Sequence, residues 1–326
     1  MKNILGIGNA LVDSLTLIPD DSVLNQLQLL KGGMTHVDAE TSLRYGAILK
    51  QYGSTMAAGG STANTMSGAA KLGVQVGYIG KVGRDERGRF FENEMLKTNV
   101  KPMLLTTDTP TGCAEAIVSK NGERTFATYL GAALELSPDD ITPELFDGWD
   151  ILYVEGYLVS NRPLLDKVFA IAKEKGMKVA LDMASYNIVQ DNRDYMRQFL
   201  NEYVDVIFAN EDEALTFTLL NEPLEALHEL ASLCETAIVK VGAEGAYMQR
   251  GNITGYVSAR KANVIDTTGA GDLWAAGFMS GYVKDLDITT CAGIGSILAA
   301  NVIEVLGAKM DEKRWEKILK ELKEYN

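Results

Sequence analysis

Four short apolar runs in the second half of the chain limit the fold more than any other feature. ILYVEGYL (151–158), KVALDM (178–183), DVIFAN (205–210) and TAIVKVG (236–242) are of strand length, with helical stretches between them. Strands apolar throughout and alternating with helices fit a parallel sheet covered on both faces. NILGIG (3–8) reads as a buried first strand. The expected fold class is α/β, a three-layer α/β/α sandwich with a mostly parallel central sheet, and ligands belong at the carboxyl ends of its strands. No repeat, low-complexity run or Pro/Gly-rich linker splits the 326 residues, so one domain is expected over 1–326.

Two stretches fall outside this rhythm. Residues 101–130 are rich in Thr and β-formers, with Asn121-Gly122 as a hairpin turn. Together with about 14–38 they are expected to form a small, discontinuous β-sheet. Residues 39–51 read as a surface helix.

Residues 263–272 read NVIDTTGAGD. Val264-Ile265 reads as a strand end, Asp266-Thr267-Thr268 as a turn, and Gly269-Ala270-Gly271 as backbone free to approach a ligand. Asp272 opens the apolar stretch LWAAGFMSGYV, a buried helix. Unpaired amides and the positive end of the helix dipole converge there and suit a phosphate. Asp272 is either a first-turn acid that complements the dipole or a general base beside an anion hole.

Gly59-Gly60-Ser61-Thr62-Ala63-Asn64 joins two glycines to an N-cap candidate and an apolar helix. Asn210-Glu211-Asp212-Glu213 places an amide and a carboxylate three apart on a first helical turn, either an acidic helix start or a pair that could hold the water shell of Mg²⁺. The third glycine of a dinucleotide fingerprint after Gly6 and Gly8 would fall at Leu11, and a Walker A loop ending at Gly80-Lys81 would need glycine at Gln75. Neither motif is present.

GNALVD, GGSTANT, NEDE and DTTGAGD, in this order, resemble the signatures of the ribokinase-like PfkB family of carbohydrate kinases. GNALVD, GGSTANT and YVDVIFANEDEA are nearest to its adenosine kinase branch. The resemblance implies ATP-dependent phosphorylation of a primary hydroxyl, with Asp272 as base and the Gly269, Ala270 and Gly271 amides holding the phosphoryl group. It implies a lid formed by the small sheet. Asn9, Asp13, Gly59, Gly60 and Asn64 are implied at the sugar, and Leu11 and Tyr157 against a base. Arg124 matches a lid arginine that reaches phosphates, or is an exposed hairpin charge. Asn210, Lys240, Gly242, Gly245, Thr267 and Asn301 are implied at the nucleotide, Asn301 competing with a solvent-facing reading. Asn210 and Glu213 are implied at Mg²⁺ through water. Asp266 and Thr268 match the place of a monovalent cation such as K⁺. Two departures stand out: Ala63 replaces the usual Gln of adenosine kinases, and GKVGRDERG is closer to the sugar kinases. The acceptor the resemblance implies is therefore a ribofuranosyl compound, with a nucleoside slightly ahead and a free sugar such as ribose or fructose as the alternative. A non-catalytic sugar- or nucleotide-binding regulator is the other class.

Composition narrows the partners. Lys+Arg is 31 against 44 Asp+Glu, a net charge of −13, which argues against a nucleic-acid backbone partner. No run reaches membrane-span length. Cys113, Cys234 and Cys291 form no C-x-x-C pair, which fits a reduced, cytoplasmic chain. With two histidines, a multi-His metal site is improbable. The chain is expected to be a monomer or a homodimer joined through the lid.

Overall fold

The computed structural model describes residues 2–121 and 123–323. The strands in chain order are β1 (Ile4–Ile7), β2 (Leu11–Leu17), β3 (Met34–His36), β4 (Ser54–Gly59), β5 (Val76–Gly83), β6 (Val100–Thr107), β7 (Thr111–Val118), β8 (Arg124–Gly131), β9 (Ile151–Glu155), β10 (Lys178–Asp182), β11 (Val206–Asn210), β12 (Thr236–Lys240), β13 (Gly245–Arg250) and β14 (Ile253–Ser258). The α-helices are α1 (Ser22–Leu27), α2 (Ala39–Leu49), α3 (Ser61–Lys71), α4 (Glu86–Lys97), α5 (Arg162–Glu174), α6 (Tyr186–Tyr203), α7 (Glu211–Thr218), α8 (Pro223–Leu233), α9 (Ala270–Tyr282), α10 (Ile288–Val302) and α11 (Glu312–Leu322).

A nine-stranded sheet runs β14-β13-β12-β11-β10-β9-β1-β5-β6. It is parallel from β6 to β12, and β13 and β14 add antiparallel at one end. Successive side chains point to opposite faces. Ile151 and Tyr153 therefore join one core with α3, α4, α9, α10 and α11, while Leu152 and Val154 join the other with α5 to α8. Both faces are covered, which explains why these strands read as unbroken apolar runs.

The second sheet has five strands in the order β3-β8-β7-β2-β4. Its boundaries differ from the sequence expectation. Residues 100–107 form β6 at the edge of the main sheet, in register with β5 from Val76↔Val100 to Gly83↔Thr107. Residues 54–59 form β4, antiparallel to β2 from Leu11↔Gly59. Both short runs are compatible with either sheet, and only pairing register assigns them. Gly122 of the expected hairpin lies outside the described residues. One face of this sheet is packed by α1 and α2 through Val23, Leu24, Leu27, Tyr45 and Leu49.

Val264 and Ile265 belong to no strand: β14 ends at Ser258, and both side chains are exposed. Their backbone is held by the end of α10 instead, where Ile265 and Asp266 N–H both donate to Ile303 O. The expected buried helix after this loop is α9, which crosses α10 closely. A Cβ on Gly277 would lie 2.7 Å from the Cα of Gly295, so glycine there permits backbone contact. This crossing fixes where the start of α9 points.

Candidate active site

Helix α9 begins at Gly269, with φ +73° and no side-chain cap. Helix α3 begins at Gly60, with φ +93°, and also lacks one. By contrast, α4, α6 and α7 are capped by Asp85, Ser185 and Asn210. The two uncapped starts meet at Asp272. Ser61 Oγ donates to its Oδ1 at 2.8 Å and Asn64 Nδ2 to its Oδ2 at 2.9 Å. Thr65 Oγ1 donates to the Asp272 carbonyl at 3.2 Å, which fastens α3 to α9. Burial raises the Asp272 pKa, and the Asn64 and Ser61 hydrogen bonds oppose that shift. A carboxylate held by two neutral donors, with its proton affinity raised, is suited to accept a proton from a hydroxyl. Ala270 N–H donates to Thr267 O and Leu273 N–H to Gly269 O. The amides of Gly271 and Asp272 between them lie in the first turn, where helix geometry supplies no acceptor.

These groups lie in a cleft of about 790 Å³ at the carboxyl ends of the strands. Its lining includes Gly60, Ser61, Asn64, Tyr157 and Asp272, and also Gly242, Gly245, Ala259, Ala299 and Ile303. Lys240 and Asp182 line it as well, with Nζ 3.1 Å from Oδ2. Burial alone would lower the Lys240 pKa, but the Asp182 and Glu213 carboxylates hold it above the usual range. Leaving aside the glycine's chain neighbours and its own helix backbone, the Lys240 ammonium is the only group among the described residues within 4 Å of where a Cβ on Gly271 would be, at 3.3 Å. A cation therefore faces the open amides, the arrangement an anionic phosphoryl group requires.

Asn210 and Glu213 form a capping box. Asn210 N–H and Nδ2 each donate to the Glu213 carboxylate at 2.7 Å, and Glu213 N–H donates to Asn210 Oδ1 at 2.9 Å. The helix-start reading is thus realised, yet Glu213 is also a cleft-lining carboxylate, its pKa raised by burial and by Asp182. Among the described residues no cluster of three or more His, Cys, Asp or Glu could hold a metal alone. The oxygen donors of Glu213 and Asn210 fit a hard cation that keeps most of its water and binds with phosphates.

The remaining sequence candidates fall into four groups. Tyr157 and the exposed Thr267 line the cleft, and Tyr157 Oη donates to Ala184 O at 3.5 Å. Asn9, Leu11, Asp13 and Gly59 sit behind that lining, at the junction of the two sheets. There Leu11 packs on Gly112, and the Asp13 carboxyl occupies the space a Cβ on Gly59 would fill. Burial pushes Asp13 up to about 6, against the opposing charge of Lys309. Asn301 departs from expectation. It is buried, its Nδ2 donates to Ile297 O at 2.9 Å, and it does not line the cleft. Ser296, Ala299, Ala300 and Ile303 of that segment do, because 3.6 residues per turn turns Asn301 away from them. Arg124 is no exposed hairpin charge: its guanidinium donates to both Thr268 Oγ1 and Asp266 Oδ2.

Sequence reasoning missed Ser61 as a partner of Asp272, and also Glu155, Asp182 and Lys309. Glu155 is 1% exposed and accepts from Asn9 N–H at 2.8 Å, Asn9 Nδ2 at 2.7 Å and Thr62 N–H at 3.1 Å. Burial raises it to about 7. It ties two of the chain's passages between the sheets, β1 into β2 and β4 out to α3, to the end of β9. Glu155 and Asp182 each end a parallel strand on the ligand side, the positional signal already used for Asn210. Lys309 carried no local signal; it lies on the segment after α10, within electrostatic reach of Asp13 and Asp272, and burial lowers its pKa.

The pfkB family carbohydrate kinase model matches residues 33–314. The chain belongs to this family. It is similar to the adenosine kinase of Saccharomyces cerevisiae, 31% identical over 290 residues, covering 83% of this chain and 84% of that one. It is also similar to the 5-dehydro-2-deoxygluconokinase of Listeria monocytogenes, 29% identical over 265 residues, covering 75% and 80%. The crystal structure of adenosine kinase from Sinorhizobium meliloti superimposes with a TM-score of 0.86 at 31% identity, covering 100% of this chain and 99% of that one. The three-layer fold is shared throughout, and the adenosine kinase likeness places the chain on that side of the family. As a pfkB family kinase it is an ATP-dependent phosphotransferase acting on a hydroxyl of a sugar or nucleoside.

Proposed function

We propose that the protein transfers the γ-phosphoryl group of ATP to the primary hydroxyl of a ribofuranosyl acceptor, a nucleoside slightly ahead of a free sugar. The observation that carries this reading is the Asp272 carboxylate, held by Ser61 and Asn64 where two uncapped helix starts converge. In this reading Asp272 removes the hydroxyl proton, and the Gly269 and Gly271 amides with Lys240 stabilise charge on the transferring group, the expected Ala270 amide being taken by Thr267 O. The small side chains of Ala259, Ala299 and Ala300 leave a flat, apolar place for the donor's base. Asn210 and Glu213 would hold Mg²⁺ through water, and the ion would supply positive charge that offsets the charge of the phosphates. Asp13, Gly60 and Asn64 orient the acceptor, Tyr157 faces its base, Leu11 supports the junction from behind against Gly112, and the small sheet closes over the acceptor to exclude water.

The polypeptide works as a single domain with that sheet as its lid. A lid-mediated dimer needs a bare sheet face, and α1 and α2 cover one of the two, so we favour a monomer. A cytoplasmic setting fits three free, buried cysteines; among the described residues no helix is long and apolar enough to cross a membrane.

Lys309 favours a second reading, an acceptor bearing an anionic group such as a sugar acid. Its ammonium is a cation near Asp13 that the sequence did not reveal. ATP consumption by purified protein, screened against adenosine and other nucleosides, ribose, fructose and a set of keto-deoxy sugar acids, separates the readings. Turnover of a nucleoside above all others is expected. Turnover of sugar acids alone would replace it with the second reading, and turnover of nothing in the set would remove both.

A further inference from the structure

The place matched to a monovalent cation is already filled by a side chain. Asp266 is buried to 3% side-chain exposure, and Arg124, from the start of β8, to 12%. Arg124 Nη2 donates to Asp266 Oδ2 and Nη1 to Thr268 Oγ1. Gly307 N–H also donates to Oδ2, at 2.5 Å, and Thr268 N–H to Oδ1, at 2.9 Å. Three of about four acceptor positions on the carboxylate are thus in use. The peptide before it is pinned too, since Ile265 and Asp266 N–H both donate to Ile303 O, at 2.7 and 3.1 Å. Gly269 closes the turn against Ala308, whose Cβ lies 2.5 Å from where a Cβ on Gly269 would be.

A buried carboxylate requires a counter-charge. A guanidinium supplies one together with donors in a fixed fork, which a spherical ion does not. A K⁺ bound to the same carboxylate would lie beside a fixed positive charge and compete for lone pairs already used. The residues present therefore do not fit a resident monovalent cation while Arg124 is docked.

We propose that Arg124 takes the place of that cation: it is a positioning residue that holds the Asp266–Gly269 turn, and through it the anion hole, from the small sheet. The anion hole is then fully shaped only when the small sheet sits against the main one. The proposal rests on the kinase reading for its catalytic consequence but not for its structural one.

The test compares wild type, Arg124→Ala and Arg124→Lys in K⁺, Na⁺ and tetramethylammonium salts at equal ionic strength. The first measurement is the melting temperature without substrates. Wild type is expected to melt at the same temperature in all three salts, and Arg124→Ala to be stabilised by K⁺ over tetramethylammonium. A K⁺-specific stabilisation of wild type, or none in Arg124→Ala, overturns the proposal. The second measurement is kcat with the best acceptor of the screen. Wild type should vary less than threefold among the salts. Arg124→Ala should lose at least tenfold in tetramethylammonium and recover at least threefold with K⁺ or millimolar guanidinium, and Arg124→Lys should stay insensitive to K⁺. Threefold or greater activation of wild type by K⁺, or an Arg124→Ala loss that neither cation reverses, rejects it. If no acceptor is found the proposed acceptor reading fails, while the melting result still decides the cation question.

Discussion

At Gly59 and Gly60 the space a side chain would need is already full. The Asp13 carboxyl lies 2.3 Å from a Cβ placed on Gly59, and the Asn9 carbonyl oxygen 2.3 Å from one placed on Gly60. At Gly271 the same position faces, among the described residues beyond its own helix and chain neighbours, only the Lys240 ammonium, at 3.3 Å. Gly60 and Gly271 each lie at a helix start that opens onto Asp272, yet Gly60, like Gly59 before it, is glycine because protein backbone and side chains crowd it. Gly271 is glycine where a ligand would approach, whereas Gly269 before it is held to glycine by its φ of +73° and by Ala308. Glycine-rich signatures of similar appearance thus serve packing at a junction in one case and access in the other.

The sharpest way to break this comparison is to remove the group both helix starts serve. Asp272→Asn should leave the fold and ATP binding intact and lower kcat by about 10²-fold or more, the scale of general-base loss. Turnover near the wild-type rate would strip Asp272 of that role.

Next come the glycines themselves. Gly60→Ala should cost about 1–3 kcal/mol of stability or more, because φ +93° strains any side chain and a carbonyl blocks it. Gly271→Ala should change stability by less than about 1 kcal/mol, in the stabilising direction, since alanine suits a helix and the Lys240 end can swing aside. Its methyl should nonetheless cut kcat at least tenfold by obstructing the phosphoryl group. Denaturation midpoints and rates of both variants decide; equal loss of stability in the two would erase the distinction.

On the acceptor side, Tyr157→Ala should weaken kcat/KM for a nucleoside by roughly 1–3 kcal/mol, the scale of one aromatic stacked on a base. Activity on a free sugar should be nearly unchanged. Equal losses on both substrates would leave Tyr157 only its support of the Ala184 loop.

The smallest effect concerns the junction. Glu155 and Asp13 have folded pKa values of about 7 and about 6, above their ordinary 4.5 and 3.8. A carboxyl raised in the folded state binds its proton more tightly there than in the unfolded chain. Its contribution is therefore complete below the ordinary value and is lost as pH rises through the folded one. The melting temperature of the substrate-free protein should fall between pH 4.5 and 7, and Glu155→Gln should flatten that slope. A midpoint that rises over this interval contradicts the burial argument.

Much of this site was legible in the chain because its signals are local. Apolar runs of strand length gave the parallel sheet, and glycines next to an acid at a helix start gave Asp272 and its amides. The strand-end Asn210 and Glu213 followed from their spacing. What stayed hidden depends on partners far away in sequence. Ser61 meets Asp272 across 211 residues and Arg124 meets Asp266 across 142. Asn301 was misplaced because which face of α10 meets the cleft is set by its crossing with α9.

The sequence alone determined the local conformations, since strand periodicity, helix starts and glycine-permitted turns depend on near neighbours and backbone sterics. Which sheet residues 54–59 and 100–107 enter, which carboxylate receives the Arg124 guanidinium and which acids lose their water were decided only by the tertiary structure. Pairing register, burial and charge compensation are properties of surfaces brought together by folding, and no short stretch of chain carries them.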